Sequence, residues 1–474
     1  MFYNDSRRAA LRLFKTLKLD WVFNTSSFTG NMAIALLVTY FFRSLGHGDA
    51  VDYVFFLSVL AIGLWITEAI PPFAVGVFLI GALLFGFGTD FLFEESAPPE
   101  LYVGTWTSNV VWLLLGGFFL AKAMSIVQLD RSLFRFTVKR FGQRPERLLL
   151  GLMMTTALAS MVMSNTATTA MMISSIVPLV HSIGKEAPFS KALLTGIPAA
   201  ASVGGVGTII GSTPNAIAVG ALSEVGIQIT FVEWMAVGFP VALILVFLFW
   251  QFLIRRLPIK QAVFDLSPIT SKDDEDRPQR SQRIAVIVTL IVTVSLWLTE
   301  PIHGIPVAAT SAVPIVFLTL TQVINAEHVR SLPWDTLMLV AGGLALGIAL
   351  VDVGLSQILM DEVFSWALPL ILLAFFFSLI GVLLSNVMSN TAASSILIPL
   401  SVALPAPFGI AVPVIVAICC SSALMLPVST PSNAISFGTG LLQQRDFYPG
   451  GIFLVLVSPL IAIGAAMLWS LFYL

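Results

Sequence analysis

The sequence predicts an all-α polytopic membrane protein built from two inverted repeats. Hydrophobic residues make up 57% of the 474 positions and charged residues only 11%, whereas about a quarter of an ordinary soluble domain is charged. The apolar runs have the length of membrane helices rather than of barrel strands. A set of polar motifs also occurs twice, in the same order in each half.

Eleven apolar runs have the length of a full membrane span. They cover residues 29–46, 52–70, 72–90, 109–128, 190–223, 232–254, 284–300, 305–323, 335–353, 407–441 and 451–473. Interruptions rich in Gly, Ser, Thr and Pro predict that the spans at 190–223 and 407–441 are broken helices.

Two further apolar stretches, 149–183 and 369–404, carry a polar tip at their centres. Such a stretch suits a re-entrant hairpin that reaches halfway across the membrane. Two ordinary spans would put the charge pattern out of phase, because Lys and Arg accumulate in cytoplasmic loops. With hairpins, only Arg43 falls on the outer side and only Lys122 lies within a span.

This topology places the N-terminus in the cytoplasm and the C-terminus outside. It predicts a cytoplasmic N-terminus with the first helix over residues 1–50, a first repeat over 51–254, a cytoplasmic linker over 255–283 and a second repeat over 284–474. No targeting signal is evident and the loops are compact, so we expect a multi-pass protein of a bacterial inner (plasma) membrane.

Four motifs occur once in each half. They are Leu-Trp-x-Thr-Glu-x-Ile at 64–70 and 296–302, Gly-Gly at 116–117 and 342–343, Ser-x-x-x-Ser-Asn-Thr at 160–166 and 385–391, and a break that ends in Asn at 211–215 and 429–433. Because the first copy contains five spans plus a hairpin, the second copy enters from the opposite side of the membrane. The halves are therefore predicted to be inverted repeats.

Inverted repeats with broken helices place a binding site near the middle of the membrane. N-terminal helix ends favour an anion there, and C-terminal ends with free carbonyls favour a cation such as Na⁺. The Ser-Asn-Thr tips add oxygens for the cation and hydroxyl or amide donors for the anion. Since no Lys or Arg is expected at this depth, bound cations must help to neutralise an anionic substrate.

The paired tips, the paired breaks and the inverted repeat resemble the divalent anion/sodium symporter family. That family transports dicarboxylates, citrate or sulfate, and the resemblance covers the chain from about residue 50. It implies a homodimer in which each protomer has a scaffold domain and a mobile transport domain that moves its site like an elevator. It also implies that the amphipathic segments 129–141 and 355–366 are arms that link the two domains.

The resemblance further implies the site residues. Na⁺ would be held by Ser160, Ser164, Asn165 and Gly211 in one half and by Ser385, Ser389, Asn390 and Ser429 in the other. Substrate carboxylates would be held by Ser164, Asn165, Thr166, Ser212, Ser389, Asn390, Thr391, Thr430 and Pro431. The family commonly has Pro-Pro-Asn at both breaks, whereas this chain has Thr-Pro-Asn at 213–215 and Pro-Ser-Asn at 431–433. This departure bears on substrate preference more than on the location of the site.

We therefore expect a Na⁺-coupled symporter of C4-dicarboxylates such as succinate, malate or fumarate, and not an enzyme. The alternatives are a Na⁺-independent dicarboxylate or anion exchanger, H⁺ coupling, and Na⁺-coupled sulfate or citrate transport. A channel is disfavoured because the polar groups gather at one depth, and an intramembrane enzyme because His-Glu-x-x-His and Gly-x-Ser-x-Gly motifs are absent from the sequence. The expected partners are the dicarboxylate, the lipid bilayer and a second copy, with no nucleic acid.

Overall fold

The computed structural model describes residues 20–89, 92–93, 97–257, 279–365 and 368–471. These residues form helices joined by short loops, and no β-strand occurs among them. The predicted all-α class is therefore confirmed. The basic segment before residue 20 and most of the predicted linker 255–283 lie outside the described residues.

The helices of the first half follow the predicted spans to within a few residues, except that the first helix begins earlier. They are α1 (Asp20–Arg43), α2 (Asp49–Thr67), α3 (Pro72–Phe87), α4 (Glu100–Val103), α5 (Asn109–Ile126), α6 (Leu129–Phe141), α7 (Pro145–Ser160), α8 (Asn165–Ile183), α9 (Pro188–Gly204), α10 (Thr213–Glu224) and α11 (Phe231–Arg256).

The helices of the second half continue the series after the linker. They are α12 (Arg280–Leu298), α13 (Glu300–His303), α14 (Val307–Thr310), α15 (Ala312–Leu320), α16 (Ala326–Arg330), α17 (Trp334–Asp352), α18 (Leu355–Ser365), α19 (Leu370–Val387), α20 (Asn390–Ser401), α21 (Phe408–Ser421), α22 (Pro431–Gly438) and α23 (Tyr448–Ser470).

Eight helical segments of the described chain are long and apolar enough to cross a membrane. Three shorter apolar segments accompany them, namely the helices Pro72–Phe87 and Phe408–Ser421 and the helical stretch Val307–Leu320, which comprises α14 and α15. The helix α1, predicted as the first span, is not among the eight. The chain is therefore a multi-pass membrane protein, and the total of eleven spans stays a prediction.

The predicted span 305–323 is not one continuous helix. It is interrupted at Ser311, between α14 and α15. Pro314 has no N–H with which to bond the carbonyl of Thr310, so the helical hydrogen-bond series stops there. Ser311 Oγ instead donates to the carbonyl of Val307 at 2.6 Å.

The helices pack in two groups. In one group α17 packs against α3, α15 against α5 and α1 against α2. In the other group the helices that flank the polar tips and breaks interlock across the two halves, since α22 packs against α8 and α9, and α10 packs against α20 and α21. The second group consists of α7 to α11 and α19 to α23. We call it the site-bearing group, because its helices flank the polar tips and breaks.

The crossing of α3 and α17 depends on glycine. A Cβ atom at Gly342 would clash with the backbone of Gly76, and one at Gly76 would lie 2.8 Å from the carbonyl oxygen of Met338. Neither contact can relax by rotation of a side chain, because each clashing atom belongs to a backbone. The two helices approach this closely only where both residues lack a side chain.

We therefore expect Gly342→Ala to lower the free energy of unfolding by about 1–3 kcal/mol, as overpacked cores do. Gly81→Ala is the matched control, since Gly81 lies on the same helix as Gly76 and a Cβ there meets nothing within 4 Å. Thermal unfolding of both variants in detergent measures the difference. Equal stability of the two variants would contradict the close crossing.

Candidate functional site

Each Ser-Asn-Thr tip lies where one helix ends and a second begins. Ser164 caps α8, and its Oγ accepts from the N–H of Ala167 at 3.4 Å. Ser389 caps α20 in the same way, accepting from the N–H of Ala392 at 3.2 Å. The Asn and Thr that follow occupy the first two helical positions, where backbone N–H groups lack an intrahelical partner and the helix dipole is positive.

Asn165 brings oxygens from three segments together. One terminal amide atom of Asn165 faces Ser160 Oγ and lies 3.1 Å from each of the carbonyl oxygens of Ala201 and Gly211. A nitrogen in this position donates to both carbonyls, and internal hydrogen bonding favours that orientation. An oxygen in this position completes a set of four oxygens suited to a hard cation such as Na⁺. We call these four residues the first oxygen cluster.

Glycine is required where the first break approaches this cluster. A Cβ atom at Gly205 would lie 2.7 Å from Asn165 Oδ1 and would clash with the carbonyl oxygen of Gly211. A Cβ at Gly211 would clash in turn with the carbonyl oxygen of Gly205. The absence of side chains at both positions therefore lets two backbone segments and the Asn165 amide come into contact.

The second half repeats this arrangement. Ser385 Oγ lies 2.7 Å from Asn390 Oδ1 and 2.8 Å from the carbonyl oxygen of Cys420. Ser385 and Asn390 stand in the motif where Ser160 and Asn165 stand in the first half. We call Ser385, Asn390 and Cys420 the second oxygen cluster, which is again composed of one hydroxyl, one amide and a backbone carbonyl.

Ser429, predicted to join the second cation site, is bonded elsewhere. Its Oγ accepts from the N–H of Leu426 at 3.0 Å and lies 3.1 Å from Asn386 Oδ1. Asn386 is itself buried, donates to the carbonyl of Val382 at 2.7 Å and accepts from the N–H of Met425 at 2.7 Å. The Ser429 side chain therefore fastens the second break to α19.

One hydrogen bond joins the two breaks directly. Ser212 Oγ and Ser421 Oγ lie 2.7 Å apart, and both side chains are buried. Ser212 follows Gly211 of the first oxygen cluster, and Ser421 follows Cys420 of the second. The two clusters are thus each one residue away from a shared hydrogen bond between the halves.

The last asparagine of each break acts as a brace. Asn215 Nδ2 donates to the carbonyls of Gly205 and Thr208, at 3.0 and 2.7 Å. Asn433 Nδ2 likewise donates to the carbonyl of Leu426 at 2.9 Å. Both asparagines are fully or almost fully buried. They supply the donors that unwound carbonyls lack when no helical N–H reaches them.

The predicted substrate-binding residues differ in how open they are. Ser164, Thr166 and Pro431 are exposed, Asn165, Ser389, Asn390 and Thr391 are half-buried, and Ser212 and Thr430 are buried. The Thr430 hydroxyl accepts from the N–H of Asn433 at 3.1 Å and caps α22. The two buried hydroxyls therefore stabilise the breaks, and the open polar groups come mainly from the tips.

Sequence reasoning missed five groups that build this site. These are the carbonyls of Ala201 and Cys420 and the side chains of Asn215, Asn386 and Asn433. The pairing of Asn433 with Asn215 in the break motif was a usable signal for the braces. Nothing in the sequence distinguishes the Ala201 or Cys420 carbonyl, because every residue carries one.

Comparisons with known proteins agree with this fold. The model of the citrate transporter family (CitMHS) matches residues 62–420, well over half of the chain. The sodium-dependent dicarboxylate transporter SdcS of Staphylococcus saprophyticus is 29% identical over 96% of this chain and 93% of its own length. The SdcS protein of Staphylococcus aureus strain USA300 is 28% identical over 87% of this chain and 84% of its own.

Two solved structures share the fold. The YdaH transporter of Alcanivorax borkumensis aligns with a TM-score of 0.53 and 16% identity, over 85% of this chain and 98% of its own. MtrF of Neisseria gonorrhoeae aligns with a TM-score of 0.55 and 14% identity, over 86% of this chain and 96% of its own.

The fold and the paired, interrupted helices at its centre define a membrane transporter rather than an enzyme. The match to the family model identifies the family of this transporter. The chain belongs to the citrate transporter family.

The hydrogen bonds of Asn386 predict a measurable loss of protein stability when its side chain is removed. Asn386→Ala leaves the N–H of Met425 without its buried partner and removes one of the two Asn386 oxygens that bond the Ser429 hydroxyl, so we expect it to lower the free energy of unfolding by about 1–3 kcal/mol. Ser378→Ala is the matched control, because the buried Ser378 hydroxyl bonds only the carbonyl of Phe375 in its own helix. A thermal melt in detergent that shows equal losses for both would refute the bracing role.

Proposed function

We propose that the chain is a Na⁺-coupled symporter of C4-dicarboxylates. The relatives named as sodium-dependent dicarboxylate transporters support this proposal, since they align over most of the chain. The observation that carries it is the pair of oxygen clusters, each placed beside the N-terminus of a tip helix. A cation and an anion can bind side by side there, and each neutralises the charge of the other.

The cation sites consist of oxygen donors. In the first, Ser160, Asn165 and the Gly211 carbonyl would hold Na⁺, together with the Ala201 carbonyl. In the second, Ser385 and Asn390 would hold Na⁺ with the Cys420 carbonyl. Ser164 and Ser389 lie beside these clusters as the helix caps, and Ser429 would act indirectly through Asn386.

The substrate would bridge the two tips. Asn165 and Thr166 open one helix and Asn390 and Thr391 open the other, so each tip offers one carboxylate a set of unpaired N–H groups. Two separate donor sets suit a dianion with two carboxylates, such as succinate, malate or fumarate. The family description as citrate transporters makes citrate the second candidate substrate.

We further propose the architecture that this function requires. The segments 149–183 and 369–404 are re-entrant hairpins, 190–223 and 407–441 are broken spans, and 51–254 and 284–474 are the inverted repeats. The site-bearing group moves like an elevator against the remaining helices within a homodimer. At the boundary of the two groups, Gly343 of α17 presents no side chain to α20, where an added Cβ would lie 2.8 Å from Ser395 Oγ. A boundary without an interlocking side chain at this position supports such sliding.

The location proposed is the plasma membrane, with the N-terminus cytoplasmic and the C-terminus outside. The basic ends of α11, at Arg255 and Arg256, and of α6, at Lys139 and Arg140, support this orientation. α6 and α18 are proposed as the arms between the two groups. A hydrogen bond of 2.6 Å from Arg283 at the start of α12 to Ser132 of α6 ties one arm to the proposed scaffold.

Transport in liposomes tests the proposal. We expect labelled succinate to accumulate with an inward Na⁺ gradient and not with K⁺ or choline. Asn165→Ala and Asn390→Ala should each reduce this uptake at least about tenfold, because each removes one amide from a cation cluster and its tip. Thermal melts with and without Na⁺ should show a stabilisation by Na⁺ that both variants lose.

The control for this experiment is Asn325→Ala. Asn325 caps the short helix α16, outside the site-bearing group, so its loss should leave uptake unchanged. Uptake that ignores Na⁺ but needs internal dicarboxylate would identify an exchanger instead. No succinate uptake, with citrate or sulfate transported, would correct the substrate class and leave the site assignment standing.

The bond between Ser212 and Ser421 predicts coupling of the two cation sites. Ser212→Ala and Ser421→Ala should each weaken the dependence of one cluster on the other, which appears as a Na⁺ Hill coefficient for uptake that falls toward unity. A coupling of about 1 kcal/mol, the usual net value of one such bond, corresponds to about fivefold in affinity.

Ser422→Ala is the control for the Ser421 variant. Ser422 is also buried and adjacent in sequence, but its hydroxyl bonds only the carbonyl of Ile418 at 2.9 Å. An unchanged Hill coefficient in both the Ser212 and the Ser421 variant would rule out coupling through this bond.

A further inference from the structure

A second cavity lies apart from the oxygen clusters, at the proposed cytoplasmic end of the site-bearing group. Its volume is about 280 Å³, and its walls come from α9, α11, the short 3₁₀ turn Gln444–Asp446 and the start of α23. Three cationic side chains and one carboxylate line it, namely Lys191, Arg256, Arg445 and Asp446.

The lining carries an excess of positive charge. Lys191 Nζ lies 3.2 Å from Asp446 Oδ1 and 3.2 Å from Glu186 Oε2, so this lysine is already paired with carboxylates. Among the described residues, Arg256 and Arg445 have no carboxylate partner. Two guanidinium groups at one cavity can bind a phosphate through paired N–H donors.

The cavity continues onto an apolar surface. A neighbouring groove of about 500 Å³ shares Phe252 and Arg256 with it and adds Leu248, Arg255 and Phe453. The ring centroids of Phe252 and Phe453 lie 4.6 Å apart in a stacked arrangement. The two rings form an aromatic wall between α11 and α23. Arg255 adds a third arginine where this wall meets the basic cavity.

The outer faces of these two helices are apolar and exposed. Phe247 of α11 is 40% exposed, and Ile452 and Leu456 of α23 are 51% and 62% exposed. In a membrane protein such faces contact acyl chains. The groove thus leads from apolar helix surfaces to a cluster of arginines at the proposed cytoplasmic ends of α11 and α23, where lipid headgroups would lie in the proposed orientation.

We propose that this paired cavity binds one anionic phospholipid. The phosphate lies between Arg256 and Arg445, and one acyl chain follows Phe252 and Phe453 along the groove between α11 and α23. A soluble dicarboxylate or free phosphate would use the arginines and leave the aromatic wall without a partner. The joined basic and apolar surfaces match a single amphipathic molecule better.

The bound lipid would contact the second break on the side that lines the basic cavity. Leu424 and Asn433, which line the basic cavity, also form one of the brace contacts of that break, with Asn433 Nδ2 3.1 Å from the Leu424 carbonyl. Lipid binding is therefore expected to stabilise the site-bearing group. This inference does not depend on which anion is transported.

Native mass spectrometry of the delipidated protein tests the proposal, with phosphatidylglycerol, phosphatidylcholine and inorganic phosphate as probes. We expect the protein to retain one phosphatidylglycerol at least about tenfold more tightly than phosphatidylcholine. Arg256→Gln combined with Arg445→Gln should remove this preference. Arg330→Gln, which removes one positive charge at the exposed end of α16 on the same predicted side, should keep it.

Two further variants guard the interpretation. Replacing Arg256 and Arg445 by Lys keeps the charge, so this pair should fold and retain part of the preference. Phe453→Ala should weaken phosphatidylglycerol binding without changing the response to phosphate. Equal retention of the two lipids by the unmodified protein would overturn the proposal, as would displacement of phosphatidylglycerol by equimolar inorganic phosphate, which would mark a site for a soluble anion.

Discussion

The backbone carbonyls of the two unwound breaks need hydrogen-bond donors in an apolar interior, and the rest of the site depends on how they find them. A carbonyl without a partner at membrane depth is costly, so each must bond a side chain or a ligand. Asn215 and Asn433 supply amide donors to some of these carbonyls. The carbonyls of Ala201 and Gly211 lie 3.1 Å from the Asn165 amide, and the Cys420 carbonyl accepts from Ser385 Oγ at 2.8 Å, so side chains of the tips bond these carbonyls until a cation binds them in the proposed mechanism.

The two halves solve this problem alike in outline and differently in detail. In the first half Thr208 Oγ1 donates to the carbonyl of Met161, so the break is fastened to the tip by its own hydroxyl. In the second half the hydroxyl of Ser429 donates in the same way to the carbonyl of Asn386, which stands in the motif where Met161 stands, and the Asn386 side chain adds bonds to Met425 and Ser429 that a methionine cannot make. The two halves thus repeat the positions of the oxygens in the clusters while the residues that support them differ, and the two proposed cation sites need not have equal affinity.

Local sequence signals predict the fold well and the site only in part. Gly, Pro and Ser mark helix ends by their own backbone preferences, so the tips at 161–164 and the breaks at 205–212 could be placed from sequence. The contact of the Ser429 hydroxyl with Asn386 forms only when α19 has packed, so sequence could not predict it, and the role of Ser429 at the second cation site stays a prediction. The Ala201 and Cys420 carbonyls belong to residues whose side chains carry no signal, and only the crossing of helices brings them to the tips. The interruption at Ser311 was not predicted, because Pro314 is visible in this apolar run but the effect of a proline depends on the helix around it.

The paired glycines set how closely the two groups of helices approach each other. Gly116 and Gly342 face their own group, since added Cβ atoms would meet Ser311 and Gly76. The next residue along, Gly117 or Gly343, faces the site-bearing group, where a Cβ would lie 3.2 Å from Ile210 or 2.8 Å from Ser395 Oγ. One glycine of each pair therefore allows close packing within its own group, and the other leaves a smooth surface toward the site-bearing group, at the boundary of the proposed movement. Because Ile210 directly precedes Gly211, this smooth contact reaches the first oxygen cluster itself, and the group that slides in the proposed movement is the group that carries the ligands.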